Sequence, residues 1–301
     1  MKSELFYRVI TSVLFIPVLI FVAYTGGIYY LLFIELGIAL GAYEFYKILE
    51  KRGLKPFIFI GVLAALTLGW ASFYASHLYT LLTLTALLMF VSISELYRRN
   101  MDRAIYHISG TMFGVLYVGW LFSHLILLRQ IPVLLYHHEA FHNIHNLKFY
   151  MFNPRGSIFA DAYSLGAVYT LIPFVLAWSN DITAYFVGNK FGKHKILKRV
   201  SPGKSWEGCI SGGLMGIISM FLVRAFLAPW LNVLDCLILG GGSAFLSPMG
   251  DLVESLLKRD VRIKDASSTI PGHGGFLDRF DSVLFVAPLV YYYLTLFVVG
   301  R

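Results

Sequence analysis

Several stretches in the C-terminal half of this 301-residue chain place ionisable residues at helical spacing inside apolar sequence. In the run from Ser247 to Arg259, the residues Asp251, Glu254, Ser255 and Lys258 stand at i, i+3, i+4 and i+7. A helix puts those positions on one face. Leu252, Val253, Leu256 and Leu257 take the opposite face. Two acids, a hydroxyl and an ammonium on one stripe are costly at membrane depth, which marks them as candidates for function rather than packing. Gly240–Gly242 and Pro248 are expected to interrupt this span. Ser247 would then cap a new half-helix with Pro248 at its first position.

A second run reads Lys264-Asp265, then Pro271-Gly272-His273-Gly274-Gly275, then Asp278-Arg279 and Asp281. The glycines give a tight loop whose backbone can approach a ligand closely. Asp278 and Asp281 are three apart and share a helix face. With Asp251 they can gather carboxylate oxygens around Mg²⁺, which takes one or two protein carboxylates plus substrate phosphates. Neighbouring lysines and arginines suit the remaining phosphate charge. The plainer alternatives are mutual pairing of these acids with Lys and Arg, and a backbone-bonded loop role for His273.

Two further segments lie upstream. Asp181, Ala184, Tyr185 and Gly188 fall at i, i+3, i+4 and i+7, a face that suits a polar cavity better than lipid. A basic loop from Lys190 to Lys204 leads into Ser201-Pro202-Gly203-Lys204-Ser205-Trp206-Glu207-Gly208. It superficially resembles a P-loop, but Lys198 stands where the first glycine belongs, and no strand is expected before it. A Gly-Lys-Ser turn opening a helix still brings free N–H groups and an ammonium together, which suits phosphate. A juxtamembrane loop holding anionic lipid is the alternative.

The elements that must carry these residues follow from composition. The chain is 57% hydrophobic and 14% charged, where soluble domains carry roughly 25% charged residues. Apolar residues come in blocks of about 20, enough to span a hydrocarbon core. Nine such blocks are read, at 8–25, 27–49, 57–74, 78–97, 104–128, 161–188, 207–229, 232–257 and 276–299. The first lacks a small-x-small cleavage pattern and is taken as a retained anchor. Most of the 25 Lys plus Arg fall in alternate loops, which the positive-inside rule makes cytoplasmic. The fold class is therefore an all-α integral membrane protein of about nine transmembrane helices. Its N-terminus is cytoplasmic, its C-terminus external, and its polar site lies at the cytoplasmic side of the C-terminal helices.

Residues 1–128 are expected to form an N-terminal helix bundle, 129–160 an external loop bearing His137, His138, His142 and His145, and 161–301 a catalytic membrane region. In the bundle, Glu35, Glu44 and Glu95 are the polar exceptions, and Gly37 with Gly41 offers a close-approach spacing. His138 and His142 would share a helical face, as a zinc pair does; a His-rich polar loop is the plainer reading. Cys209 and Cys236 form no metal or redox spacing and read as packing residues. The net charge of +8 fits topology, anionic lipid and an anionic substrate rather than nucleic acid.

The run Ser255 to Asp281, with Lys258-Arg259, Lys264-Asp265, Pro271 to Gly275, Asp278-Arg279 and Asp281, resembles the signature of phosphatidate cytidylyltransferases, the CDP-diacylglycerol synthases. Asp181 with Tyr185, Ser201 to Gly208, and Gly250-Asp251 are similar to other segments of that family. The chain departs from the family at Gly203, where members often carry lysine. The resemblance covers about 178–281 strongly, and the N-terminal half shares only the number of spans. It implies CMP transfer from CTP to phosphatidic acid, giving CDP-diacylglycerol and pyrophosphate in phospholipid biosynthesis at the cell (inner) membrane. It also implies a Mg²⁺ requirement, a second monovalent metal such as K⁺, and a homodimer. By that likeness Asp251 and Asp278 hold metal, with Asp281 supporting. Lys204, Lys258, Arg259, Lys264 and Arg279 bind phosphate, with Ser205, Glu207, Gly274 and Gly275 completing the substrate site. Asp181 and Asp265 orient lysines or a metal-bound water, and His273 donates to the pyrophosphate.

Two alternatives stand beside this one. An ion- or proton-coupled transporter also uses intramembrane acids and a broken helix, though its acids belong near the midplane. A related CTP-dependent lipid kinase or cytidylyltransferase would keep the site and change the acceptor.

Overall fold

The computed structural model describes residues 2–99, 102–137, 162–263 and 275–299. These form helices α1 (Lys2–Thr25), α2 (Gly27–Lys51), α3 (Ile58–Phe73), α4 (His77–Leu96), α5 (Ala104–Gly114), α6 (Leu121–His137), α7 (Ala162–Phe191), α8 (Trp206–Phe226), α9 (Val233–Asp260) and α10 (Leu277–Tyr293). A π-helical stretch, Val115–Trp120, joins α5 to α6, and another, Leu294–Val298, extends α10. Helices dominate because hydrocarbon offers no partner to free backbone N–H and C=O groups. Among the described residues, seven helices are long and apolar enough to cross a membrane, while Leu14–Thr25 and Ile58–Phe73 are apolar but shorter. The chain is a membrane protein. On α4, Leu78, Leu81, Leu82 and Phe90 are all exposed, a face suited to lipid.

Three expectations need correction. The span from Ala104 runs on to His137, so the loop expected from residue 129 begins no earlier than 138. Arg129, read as a loop cation, is 3% exposed and donates from Nε to the Ala23 carbonyl at 3.0 Å. His138, His142 and His145 lie outside the described residues. Second, the all-helical reading misses a short antiparallel hairpin, β1 (Lys195–Leu197) with β2 (Ser201–Ser205). A strand therefore does precede Gly203. Third, α9 is not broken: it runs for 28 residues with Pro248 inside it.

The contacts along α9 explain the third point. The Ser247 hydroxyl donates to Asp181 Oδ1 at 3.0 Å rather than capping a half-helix. A Cβ on Gly240 would stand 2.5 Å from Ile217 Cα, so that glycine lets α8 approach. Pro248 lacks an N–H and leaves one carbonyl of the preceding turn without its helical donor. The true start of α9 is capped conventionally. Asn232 N–H donates to Asp235 Oδ2, and Asp235 N–H donates to Asn232 Oδ1, both at 2.8 Å, a reciprocal capping box.

The chain divides into two compact units. One comprises Met1–Leu19, Gly27–Leu127 and Glu254–Phe280. Its core includes Ala64, Leu68, Leu87, Val91 and Val115. Its buried Glu95 is paired, with His107 Nδ1 at 2.9 Å and Arg98 Nε at 3.3 Å, as a structural acid should be.

The other unit comprises Ile20–Gly26, Leu128–Val253 and Asp281–Arg301. A seam of small residues joins α7 to α8 within it. Cβ atoms on Gly208, Gly212 and Gly216 would lie 2.8 Å from the Ala184 carbonyl, 2.8 Å from the Asn180 carbonyl and 2.5 Å from Asn180 Oδ1. Small residues at this spacing let helix backbones meet where no hydrophobic force drives them together. The Asp181 face is thus partly a packing seam, and Tyr185 points outward at 66% exposure. Gly212→Ala should lower stability by about 1–3 kcal/mol, the usual cost of overpacking. A lower thermal midpoint in detergent would register it, and an unchanged midpoint would mean that α7 yields freely.

Candidate active site

The second unit brings Lys204, Ser205, Asp251 and Asp181 into one region. Ser205 ends β2 and caps α8, its hydroxyl accepting from the Gly208 N–H at 3.2 Å. That cap fixes the preceding residue, Lys204, at the strand end. Lys204 Nζ lies 2.7 Å from Asp251 Oδ2 and donates to the Pro248 carbonyl at 3.0 Å. The Asp251 side chain is 36% exposed and that of Lys204 19%. Ser247, one residue before Pro248, anchors Asp181. Lys204, Asp251 and Asp181 thus share one neighbourhood, fixed by α7, α9 and the hairpin.

A cavity of about 620 Å³ opens beside the hairpin, lined by Lys193, His194, Lys195, Lys198, Trp206 and Glu207 among others. Its cations come from the loop predicted to bind phosphate. The Glu207 carboxylate is engaged by His194, accepting from the backbone N–H at 3.1 Å and approaching Nδ1 at 2.7 Å. It ties the loop to the first turn of α8. Gly203 is exposed, with nothing within 4 Å of a Cβ placed on it, so crowding does not demand glycine there. Lys195 Nζ donates to its carbonyl at 3.3 Å.

The first unit holds a second ionic cluster. Lys258 Nζ bonds to Asp278 Oδ1 at 2.5 Å and stands 3.4 Å from Glu254 Oε1. Side-chain exposures are 12% for Lys258, 10% for Asp278 and 0% for Glu254. Asp278 also accepts the Gly275 N–H at 2.9 Å, which ties the end of the glycine loop to the first turn of α10. Arg259 and Arg279 are exposed, and Arg259 reaches the Ile263 carbonyl at 3.5 Å.

Asp281 belongs to the second unit. It is 8% exposed and accepts the Ser282 N–H at 2.7 Å. Lys264, Asp265, His273 and Gly274 lie outside the described residues. Sequence reasoning gave Ser247 only a capping role and left Glu254 without one. Spacing alone had placed Glu254 on the stripe with Lys258, and the short i,i+4 reach was the signal for their pairing.

Among the described residues, no group of three or more His, Cys, Asp or Glu stands together as an ion-binding cluster. A site of the Mg²⁺ kind does not require one, because substrate phosphates and water complete its shell. The part-exposed Asp251 carboxylate is a hard donor of the right chemistry for that arrangement.

A model of the cytidylyltransferase family matches residues 6–297. The chain belongs to that family. Phosphatidate cytidylyltransferase of Synechocystis is 31% identical over 296 residues, covering 96% of both chains. The enzymes of the same name from Haemophilus influenzae and Bacillus subtilis are each 42% identical, over 132 and 138 residues. Those two matches take in 42% and 44% of this chain, and the chain spans about half of each relative, 46% and 49%. Membership in the cytidylyltransferase family displaces the transporter alternative.

Proposed function

We propose that this protein transfers CMP from CTP to phosphatidic acid, releasing pyrophosphate and leaving CDP-diacylglycerol in the membrane. The full-length match to the family carries the reading, and the Lys204–Asp251 pair supports it chemically. A phosphate oxygen of the lipid attacks the α-phosphorus of CTP. The bond from that phosphorus to the β-phosphate bridging oxygen breaks, and its electron pair leaves with pyrophosphate. The nucleophile is already ionised, so no strong general base is required. The protein must bring two anions together and offset their repulsion.

Lys204 does this by exchanging part of its contact with Asp251 for a phosphate oxygen. The lysines of the adjoining cavity draw in the triphosphate. Asp181, held by Ser247, keeps Asp251 and Lys204 in a polar setting. Lys258, clasped by Asp278 and Glu254, supplies a fixed positive charge, and the Gly275 backbone closes the turn beside it. Asp251 and Asp278, with Asp281 in support, are the proposed carboxylates for Mg²⁺, which when bound would neutralise phosphate charge. Lys264 and Gly274 keep their proposed parts in binding substrate phosphate, Asp265 in orienting a lysine or a metal-bound water, and His273 in donating to the pyrophosphate. Arg259 and Arg279 face solvent, as cations meeting a nucleotide should.

We extend the proposal to topology and assembly. Counting the two shorter apolar helices gives nine crossings, with the N-terminus and basic loops cytoplasmic, where CTP is supplied, and the C-terminus external. A homodimer in the inner membrane and a second site for K⁺ complete it.

The test is turnover by purified protein in detergent with labelled CTP, phosphatidic acid and Mg²⁺. Lipid-extractable label should require both substrates and vanish with EDTA. Folded protein that yields no such label would overturn the reading; label that persists in EDTA would overturn the metal proposal.

A further inference from the structure

The sequence sets the N-terminal bundle apart from the catalytic region, yet one face of α2 grips the start of α10. Glu44 is 2% exposed. Its Oε1 accepts the Phe276 N–H at 3.0 Å and its Oε2 the Leu277 N–H at 2.9 Å. These are among the donors that a helix start leaves without an internal partner. A Ser, Thr, Asp or Asn at 276 would serve the N–H groups of 278 and 279, so those of 276 and 277 need an acceptor from outside the helix. A carboxylate from a helix more than 200 residues away in sequence supplies that acceptor, with favourable charge at the positive end of α10.

The same face of α2 receives the phenylalanine ring. Gly37, Gly41 and Glu44 fall at i, i+4 and i+7. A Cβ on Gly37 would stand 3.0 Å from Phe276 Cζ, and one on Gly41 would stand 3.1 Å from Val118 Cγ1. The Phe276 ring stacks on Phe280, with centroids 4.5 Å apart, and on Phe122 at 6.0 Å. A notch for the ring and a carboxylate for the backbone together fix both the position and the direction of the first turn. That turn carries Asp278, whose own carboxylate accepts the Gly275 N–H.

We propose that Glu44 is a positioning residue for CMP transfer: it holds the first turn of α10 so that Asp278 and the Gly275 backbone stand correctly. This rests on the reading of Asp278 as a residue of the transfer site. Glu44 itself touches no reacting atom. Its loss should therefore act on the chemical step more than on nucleotide binding.

The experiment compares full-length wild type with Glu44→Gln and Glu44→Asp. Glutamine keeps the size but faces one of the two N–H donors with its own NH₂ group. Glu44→Gln should lower kcat by about 10²-fold, the scale of a small misplacement at a reacting centre, with KM for CTP unchanged. Backbone amide exchange at 275–277 should accelerate in the same variant. Glu44→Asp, which keeps the charge on a shorter arm, should recover part of both. Wild-type kcat in Glu44→Gln would overturn the proposal. So would activity lost only in proportion to unfolded protein, or unchanged exchange at 275–277. Wild type without cytidylyl transfer would instead sink the functional reading, while the exchange measurement would still report on the Glu44 clamp.

Discussion

Asp278→Asn should reduce kcat by at least about 10²–10³-fold, the range found when one group that stabilises transition-state charge is removed. Asparagine keeps the shape and can still accept the Gly275 N–H through its carbonyl oxygen, so the glycine turn has reason to stay. What it loses is the negative charge facing Lys258 Nζ. Lys258 would then have Glu254, at 3.4 Å, as the remaining carboxylate of the cluster and would be drawn toward it, away from its present site. Breaking a buried pair costs about 3–5 kcal/mol when the leftover charge has no second partner. Here Glu254 supplies one, so the loss of stability should be smaller than that. The check is initial-rate turnover beside thermal unfolding of the same preparation. Near-normal kcat with Mg²⁺ present would show that Asp278 is dispensable.

The helices were legible because hydrocarbon thickness sets their length: among the described residues, seven of the expected blocks meet helices long and apolar enough to cross a membrane, and two meet shorter apolar helices. Ends were harder. The α6 end was misplaced because Arg129 looked like a loop cation, while the fold satisfies it with the Ala23 carbonyl. The hairpin was missed because strands of three and five residues, rich in Lys, Ser, Pro and Gly, carry no alternation. The α9 break was expected from Gly240–Gly242 and Pro248, yet at least Gly240 answers to a packing demand from α8. Sequence cannot tell a glycine that bends a helix from one that admits a neighbour.

The acid–lysine stripe was legible as a face because 3.6-residue periodicity is local. Its pairings were not. Lys204 finds Asp251 and Lys258 finds Asp278 across long stretches of chain, and only the packed structure decides such partners. Glu44 was visible as an acid near a span end, but the N–H groups that it receives lie at 276 and 277. The clue was its register with Gly37 and Gly41, which made one face of α2 polar, small and unsuited to lipid.

Lys204→Met should lower kcat/KM for CTP by about 10²–10³-fold, as expected for loss of one preorganised cation at a transferring phosphoryl group. Its effect on stability should be slight. Asp251 is 36% exposed, so water can solvate the carboxylate, and a pair this open contributes at most about 1 kcal/mol. Asp251→Asn leaves the ammonium on the Pro248 carbonyl, which holds the lysine back from a substrate without supplying charge. If the two side chains serve the transfer as one unit, the double variant should be no slower than the worse single variant, because residues acting together are strongly non-additive. Losses that multiply would mean separate duties for Lys204 and Asp251, with their 2.7 Å contact a resting-state pairing only. The double-variant cycle, read as kcat/KM for CTP at fixed Mg²⁺, decides between these outcomes. A Lys204→Met enzyme as fast as wild type would remove Lys204 from the site altogether.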